Sequence, residues 1–214
     1  MDRRSGPNQT RLVLVTPPVA DTYKIAPVLA ASVKAADIAA VLLRLAPGKD
    51  AEQIMRVNAL AATVQNAGAA LLIDERADLV GKTGADGAHL LGIDTLKAAM
   101  PLLKPEFVAG CGGLATRHDS MTAAELGADY VMFGEPDTND RRPGFDAVLE
   151  RVVWWAELFQ IPCVGYAASL AEADELARAG ADFVALADTI WNSVEGTGAL
   201  IEAMERLRQR EPVR

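Results

Sequence analysis

The chain is poor in the residues that most often announce a chemistry. Its 214 residues include two cysteines and two histidines. Cys111 and Cys163 are too few for a disulfide framework and lack the company a zinc site needs. Each reads as a small buried hydrophobe. Positive charge is also short: 21 basic residues stand against 29 acidic ones, a net charge of −8. That balance argues against a general nucleic-acid surface, which needs clustered cations. A small anionic ligand stays open, because a few arginines and backbone amides hold a phosphate inside an acidic protein. No apolar run approaches the roughly 18 to 20 residues of a membrane span. Behind the polar Met1–Thr10 comes only a short run from Leu12, interrupted by Pro17-Pro18, which does not make a signal peptide. A cytoplasmic protein is expected. No Pro/Gly/Ser-rich linker divides the chain, so one domain is expected over residues 11–208, between tails at 1–10 and 209–214. Half the residues are hydrophobic, enough for a real core.

What the chain does have is a recurring phrase. Gly84-Ala85-Asp86-Gly87, Gly127-Ala128-Asp129-Tyr130 and Gly180-Ala181-Asp182-Phe183 each follow an alanine-rich amphipathic segment and lead into a short apolar run. Weaker copies stand at Ala35-Ala36-Asp37 and Ala67-Gly68-Ala69. Glycine suits the left-handed residue past a helix end, and a buried parallel strand reads as continuous apolar sequence. The spacing predicts strands near Leu12–Thr16, Ala39–Leu45, Ala69–Asp74, Gly87–Leu91, Phe107–Cys111, Tyr130–Gly134, Cys163–Tyr166 and Phe183–Ala187. Helices are expected between them, among them Ala51–Asn66, Thr95–Leu103, Phe145–Phe159, Leu170–Ala179 and Gly198–Arg208. Eight strands alternating with helices in this length suit a single (β/α)8 TIM barrel, with an open doubly wound sheet as the alternative.

A parallel barrel carries its site at the C-terminal ends of its strands. That rule selects Arg44, Asp74-Glu75-Arg76, Asp94, Gly112-Gly113, the Glu135–Arg142 loop, Tyr166 and Asp188. Arg44 would clamp an anion through its planar fork, or else pair with a carboxylate such as Asp74. Asp74, Glu75 and Asp94 follow neighbouring strands, and acids so placed can converge on one magnesium ion. The competing reading makes Asp74 and Asp94 helix caps. His89 lies within a strand and reads as a hydrogen-bonded structural residue, and His118 reads as exposed. Neither has a Ser or Cys nucleophile beside it, so acyl chemistry has no support. Trp154-Trp155 lie on a helix and are expected to pack outward, either on the barrel or across a subunit contact.

Leu72-Ile73-Asp74-Glu75-Arg76-Ala77-Asp78, Gly84 to Leu90, Asp94, Gly127 to Tyr130 with Phe133-Gly134, Ile161 to Gly165 and Ala179 to Asp182 together resemble thiamine phosphate synthase and its sister, the thiazole tautomerase. The resemblance runs from Leu12 to about Glu202. It implies a (β/α)8 barrel, typically oligomeric and here taken as a homodimer. The implied reaction joins hydroxymethylpyrimidine pyrophosphate to thiazole phosphate and releases pyrophosphate with the help of Mg2+. The pyrimidine ionises to a carbocation-like species that the thiazole nitrogen captures, so the protein orients and stabilises rather than attacks. Carried over position by position, the resemblance implies substrate contacts at Arg44, Asp74, Gly112, Arg141, Arg142, Gly165 and Asp188, with Glu75 and Asp94 as metal carboxylates. The partner it implies is a small phosphorylated heterocycle, with no nucleic acid and no membrane.

The register also shows departures. The family's Gln-Leu-Arg-Glu-Lys motif falls on Leu42-Leu43-Arg44-Leu45-Ala46, which keeps the arginine and loses the glutamine and lysine. Gly112 stands where the family has serine, Ala167-Ala168 where it has Gly-Gly, and Asp188 where it has a second serine. The tautomerase's histidine falls near Leu114, a few residues before His118. These changes remove cations and add methyl groups at phosphate contacts. They support a second expectation, a barrel binding a small metabolite or a protein partner without catalysis. A third is an isomerase on a small heterocycle with His118 or Glu135 as base.

Overall fold

The computed structural model describes residues 10–137, 139–187, 191 and 196–208. The chain alternates strand and helix throughout: β1 (Arg11–Val15), α1 (Thr22–Ala35), β2 (Ile38–Leu43), α2 (Asp50–Gln65), β3 (Ala70–Asp74), α3 (Ala77–Val80), β4 (Gly87–Leu91), α4 (Ile93–Leu103), β5 (Val108–Gly112), α5 (Arg117–Glu125), β6 (Tyr130–Phe133), α6 (Phe145–Leu158), β7 (Cys163–Ala167), α7 (Leu170–Arg178), β8 (Phe183–Leu186) and α8 (Gly196–Arg208). All strand pairs are parallel, each strand pairs with its neighbour in sequence, and β8 returns to β1. This is a closed (β/α)8 barrel, and the open-sheet alternative falls away.

Alternation sorts the strand residues into two layers. Leu12, Leu14, Val41, Leu43, Leu71, Ile73, Ala88, Leu90 and their counterparts face the helices and form the larger core. Val13, Val15, Leu42, Leu72, Met132, Val164, Tyr166 and Ala185 fill the barrel itself. Both cysteines are buried on the helix-facing side of their strands. Burial pushes each thiol up to about 12, so neither is a ready thiolate.

The repeated Gly-Ala-Asp phrase turns out to be a clasp at the lower rim. Asp86 donates its backbone N–H to the Leu71 carbonyl and accepts the Leu71 N–H on its carboxylate at 2.7 Å. Asp129 does the same with Ala109, and Asp182 with Cys163. Each aspartate therefore grips both polar groups of the first or second residue of a strand, satisfying backbone groups that the ladder leaves open. Gly127 and Gly180, with φ of +93° and +95°, supply the left-handed turn that brings α5 and α7 to their clasps. The copy at Gly84 differs. Its preceding helix, α3, is a single turn, and the rest of that connection is irregular.

Of the two placements expected for the Trp pair, Trp155 takes the one on the barrel: it is fully buried, stacked on Phe159 at 4.1 Å and edge-on to Phe133, with its indole N–H donated to the Ile161 carbonyl at 2.7 Å. Val148, Val152 and Trp155 share the buried face of α6, and Trp154 sits half-buried beside it under the Arg117 guanidinium. Among the described residues, no helix is long and apolar enough to cross a membrane.

Candidate active site at the barrel mouth

The upper end of the barrel opens into a cleft of ≈ 610 Å³ between the chain segments after β4, β5 and β6. Its size falls in the range, roughly 300–1,000 Å³, of small-molecule sites. Leu91, Gly92, Gly113, Leu114, Glu135, Asp137, Arg141 and Arg142 are among the residues that line it.

The deepest polar group in that wall is Glu135, which is 9% exposed. One carboxylate oxygen meets His89 Nε2 at 2.8 Å, and the other accepts the Gly113 N–H at 2.5 Å. His89 in turn meets the Tyr130 hydroxyl through Nδ1 at 2.9 Å, and the two rings stack. Interior glycines on β5 make this possible. A methyl at Gly110 would stand 2.0 Å from the Tyr130 ring, and one at Gly112 would stand 1.6 Å from the Glu135 carboxylate. Burial alone would depress the His89 imidazole, but the Glu135 charge and hydrogen bond, with Asp74 behind them, hold its pKa above the ordinary value. Burial raises the Tyr130 phenol, which stays neutral.

On the β2–β3 side, Arg44 follows its strand and meets Asp74 through Nε at 3.4 Å. The pairing weighed for these two residues is present, and Asp74 is not a helix cap. Burial raises the Asp74 carboxyl, while His89 and Arg44 pull the other way. Glu75 follows at φ +56°, a left-handed conformation that costs a glutamate strain and marks the turn as one held by its surroundings. Its carboxyl is raised by burial and by the Asp74 charge beside it. Asp94 lies in the first turn of α4, where Gly92 is the cap residue, so it is exposed and does not cap the helix. Neither Glu75 nor Asp94 has a side-chain hydrogen bond among the described contacts. Among the described residues, no group of three or more His, Cys, Asp or Glu is arranged to hold a metal ion by itself.

The other sequence-derived positions have different surroundings. Arg141 is exposed and forks onto Asp137 at 3.0 Å. Arg142 straps the mouth together, donating to the Gly134 and Tyr166 carbonyls and to Glu172, each at 3.0 Å. The Ala168 amide also goes to Glu172, at 2.8 Å. Arg151, a further lining residue, is spent on the Leu114 and Ala115 carbonyls. Gly165 lies inside β7 with its open side toward α7, where an added methyl would meet Leu176 at 2.9 Å. Gly112 faces the mouth, but the Glu135 carboxylate fills the space in front of it. His118 lies exposed on α5 and does not line the cleft. Asp188 lies outside the described residues. The reading of His89 as a hydrogen-bonded structural residue agrees with its contacts but omitted its partner Glu135, 46 residues away.

Comparisons with known proteins point in one direction. Residues 12–190 match the model of a family described as thiamine monophosphate synthase. The chain is 36% identical over 200 residues to a thiamine-phosphate synthase of Rhodospirillum centenum, covering 92% of this chain and 97% of that one. It is also 36% identical over 209 residues to a thiamine-phosphate synthase of Hyphomonas neptunium, covering 93% and 94%. Among solved structures, a thiamine phosphate pyrophosphorylase from Pyrococcus furiosus superposes with a TM-score of 0.79 at 20% identity, covering 94% of this chain and 97% of that one. This last likeness is one of fold.

Proposed function

The chain belongs to the thiamine monophosphate synthase family, and from that premise we propose that it couples hydroxymethylpyrimidine pyrophosphate to thiazole phosphate at the barrel mouth. The observation that carries this reading is Arg44. Four arginines follow strands, namely Arg44, Arg76, Arg141 and Arg142. Arg76 is bound by Asp50 and Asp78, Arg141 by Asp137, and Arg142 by three acceptors. Arg44 has one ion pair, through Nε, and its terminal nitrogens make no further hydrogen bond among the described residues. Its guanidinium thus commits a single nitrogen to the protein, against two or more in each of the other three, and it occupies the position of the arginine in the family's second-strand motif.

In the reaction, the bond from the pyrimidine methylene to pyrophosphate breaks, and its electron pair leaves with pyrophosphate. The thiazole nitrogen supplies the pair for the new C–N bond. No protein nucleophile takes part, which suits a chain whose two cysteines are buried with their thiols pushed up to about 12. Arg44 would bind the leaving pyrophosphate in its partly enclosed setting, where a guanidinium acts more strongly than in open water. Glu75 and Asp94 are the residues that would hold Mg2+. Two exposed carboxylates do not make a self-sufficient cage, but they fit a magnesium that keeps its waters and shares substrate phosphates. Bound there, the ion would neutralise pyrophosphate charge. The same reading takes the protein as a cytoplasmic homodimer.

The test is direct. Purified protein with both substrates and Mg2+ should form thiamine phosphate and pyrophosphate in equal amounts, and chelation should stop it. Absence of product above a protein-free control, beside an active synthase under the same conditions, refutes the catalytic reading. A binding barrel is the second reading, favoured by the commitment of Arg141, Arg142 and the Ala168 amide to protein acceptors.

A further inference from the structure

We propose that Glu135 is the anchor for an amino-substituted pyrimidine ring at the inner end of the cleft. This deepens the reading above and rests on it for the identity of the ring.

An ionised carboxylate has about four acceptor sites and no donor. Within the protein, Glu135 uses one on His89 and one on Gly113. The remaining sites belong to a group that lines the cleft, beside Gly113 and Gly92, with only 7% of its side chain open to water. Its two protein donors fix its rotamer, and the absent side chain at Gly112 gives it room. A carboxylate held this way is preorganised to accept hydrogen bonds from a ligand.

The ligand's chemistry then narrows the choice. Pyrophosphate and phosphate oxygens are acceptors and carry the same sign of charge as Glu135. Of the arginines that line this cleft, Arg141 is paired with Asp137 and Arg142 with Glu172, and Arg151 donates to the Leu114 and Ala115 carbonyls; none of the three bonds to Glu135. The thiazole ring has a nitrogen acceptor and no N–H. Of the parts of the two substrates, only the pyrimidine carries N–H donors, on its exocyclic amino group. The anionic ends of both substrates therefore lie away from Glu135, and the amino group lies against it. Where the family register has a serine hydroxyl from β5, this chain presents a carboxylate from the segment after β6.

Binding measured without turnover tests the assignment. The probe is unphosphorylated 4-amino-5-hydroxymethyl-2-methylpyrimidine, titrated calorimetrically into the full chain, alongside the analogue with hydrogen in place of the amino group. A hydrogen bond to a charged group in such a site predicts affinity lower by about tenfold to a hundredfold for the analogue. Glu135→Gln should show a similar loss for the amino compound and unchanged binding of thiazole phosphate. The inference is overturned if the analogue binds as well as the parent or if the parent does not bind. It is equally overturned if Glu135→Gln keeps full affinity or loses thiazole phosphate by the same factor. The analogue arm uses unaltered protein and does not depend on the folding of a variant. Failure of the synthase reading shows separately, as absent turnover beside intact amino-dependent binding.

Discussion

Replacing Gly112 by alanine puts a methyl carbon where the Glu135 carboxylate now lies, 1.6 Å from one oxygen, 2.7 Å from the other and 2.4 Å from the carboxyl carbon. The backbone at Gly112 is not left-handed, so alanine itself is not strained there. The cost falls entirely on Glu135, which must swing out into the cleft. It then loses its bonds to His89 and to the Gly113 N–H, at 2.8 and 2.5 Å, and leaves a buried imidazole without its acceptor. Water in the cleft re-solvates the displaced carboxylate, so the full penalty of a stranded charge does not apply. The loss of two charge-assisted bonds then amounts to about 2–4 kcal/mol. In a chain of this size that lowers the melting temperature by roughly 5–15 °C. Glu135→Ala removes the obstacle. In that background Gly112→Ala should be neutral or stabilising by about 0.5 kcal/mol, because alanine restricts the unfolded chain. The four proteins of this cycle, followed by calorimetric melting, should therefore show a coupling of about 3 kcal/mol. Additive effects, or a Gly112→Ala cost below 1 kcal/mol, would refute the packing argument.

Other perturbations have equally definite outcomes. Asp86→Ala leaves the Leu71 N–H without its 2.7 Å acceptor and should cost about 1–3 kcal/mol in urea unfolding, with the mouth unaltered. Trp155→Phe shrinks a fully buried side chain and strands the Ile161 carbonyl, for about 2–3 kcal/mol by the same measurement. Thr116→Ala opens the capping box of α5 and should cost about 1 kcal/mol at neutral pH. Hydrogen bonds from Thr116 hold the Asp119 carboxyl below its ordinary 3.8. Its contribution is thus present above that value and lost as pH falls through the lowered folded one, so the variant's deficit should shrink in acid. Glu75→Ala and Asp94→Ala should each weaken magnesium-dependent pyrophosphate binding, read by calorimetry with and without the ion. Equal binding in both conditions would remove these residues from the metal's shell.

The barrel was readable because each element's evidence is local. Val41-Leu42-Leu43 and Leu71-Leu72-Ile73 look like buried parallel strands wherever they occur, since both faces are covered. The single turn of α3 was less distinct, because four residues show no helical period. Trp155 shows how periodicity chooses between two placements: its spacing from Val148 and Val152 is that of one helix face, while the Ile161 carbonyl that takes its indole N–H leaves no periodic signal. The mouth was harder for a different reason. Arg44 and Asp74 could be paired on paper because they end adjacent strands. Glu135 could not be joined to His89, 46 residues earlier, or to the bare Gly112, because that contact exists only after the barrel closes. Gly110-Cys111-Gly112-Gly113 was the available hint, since glycines inside a strand signal another group's close approach.

The aspartate clasps have a consequence for what this scaffold tolerates. Each joins one strand to the connection that follows the next helix, at the rim opposite the cleft, and none touches Arg44, Glu75 or Glu135. Closure is thus distributed over small repeated joints that share no atoms with the chemistry. Loops after β5 and β6 stand at the other end of a frame that locks from below, so a graft there has to replace what Glu135, Arg142 and Arg151 now hold at the mouth, while the lower rim keeps its own joints.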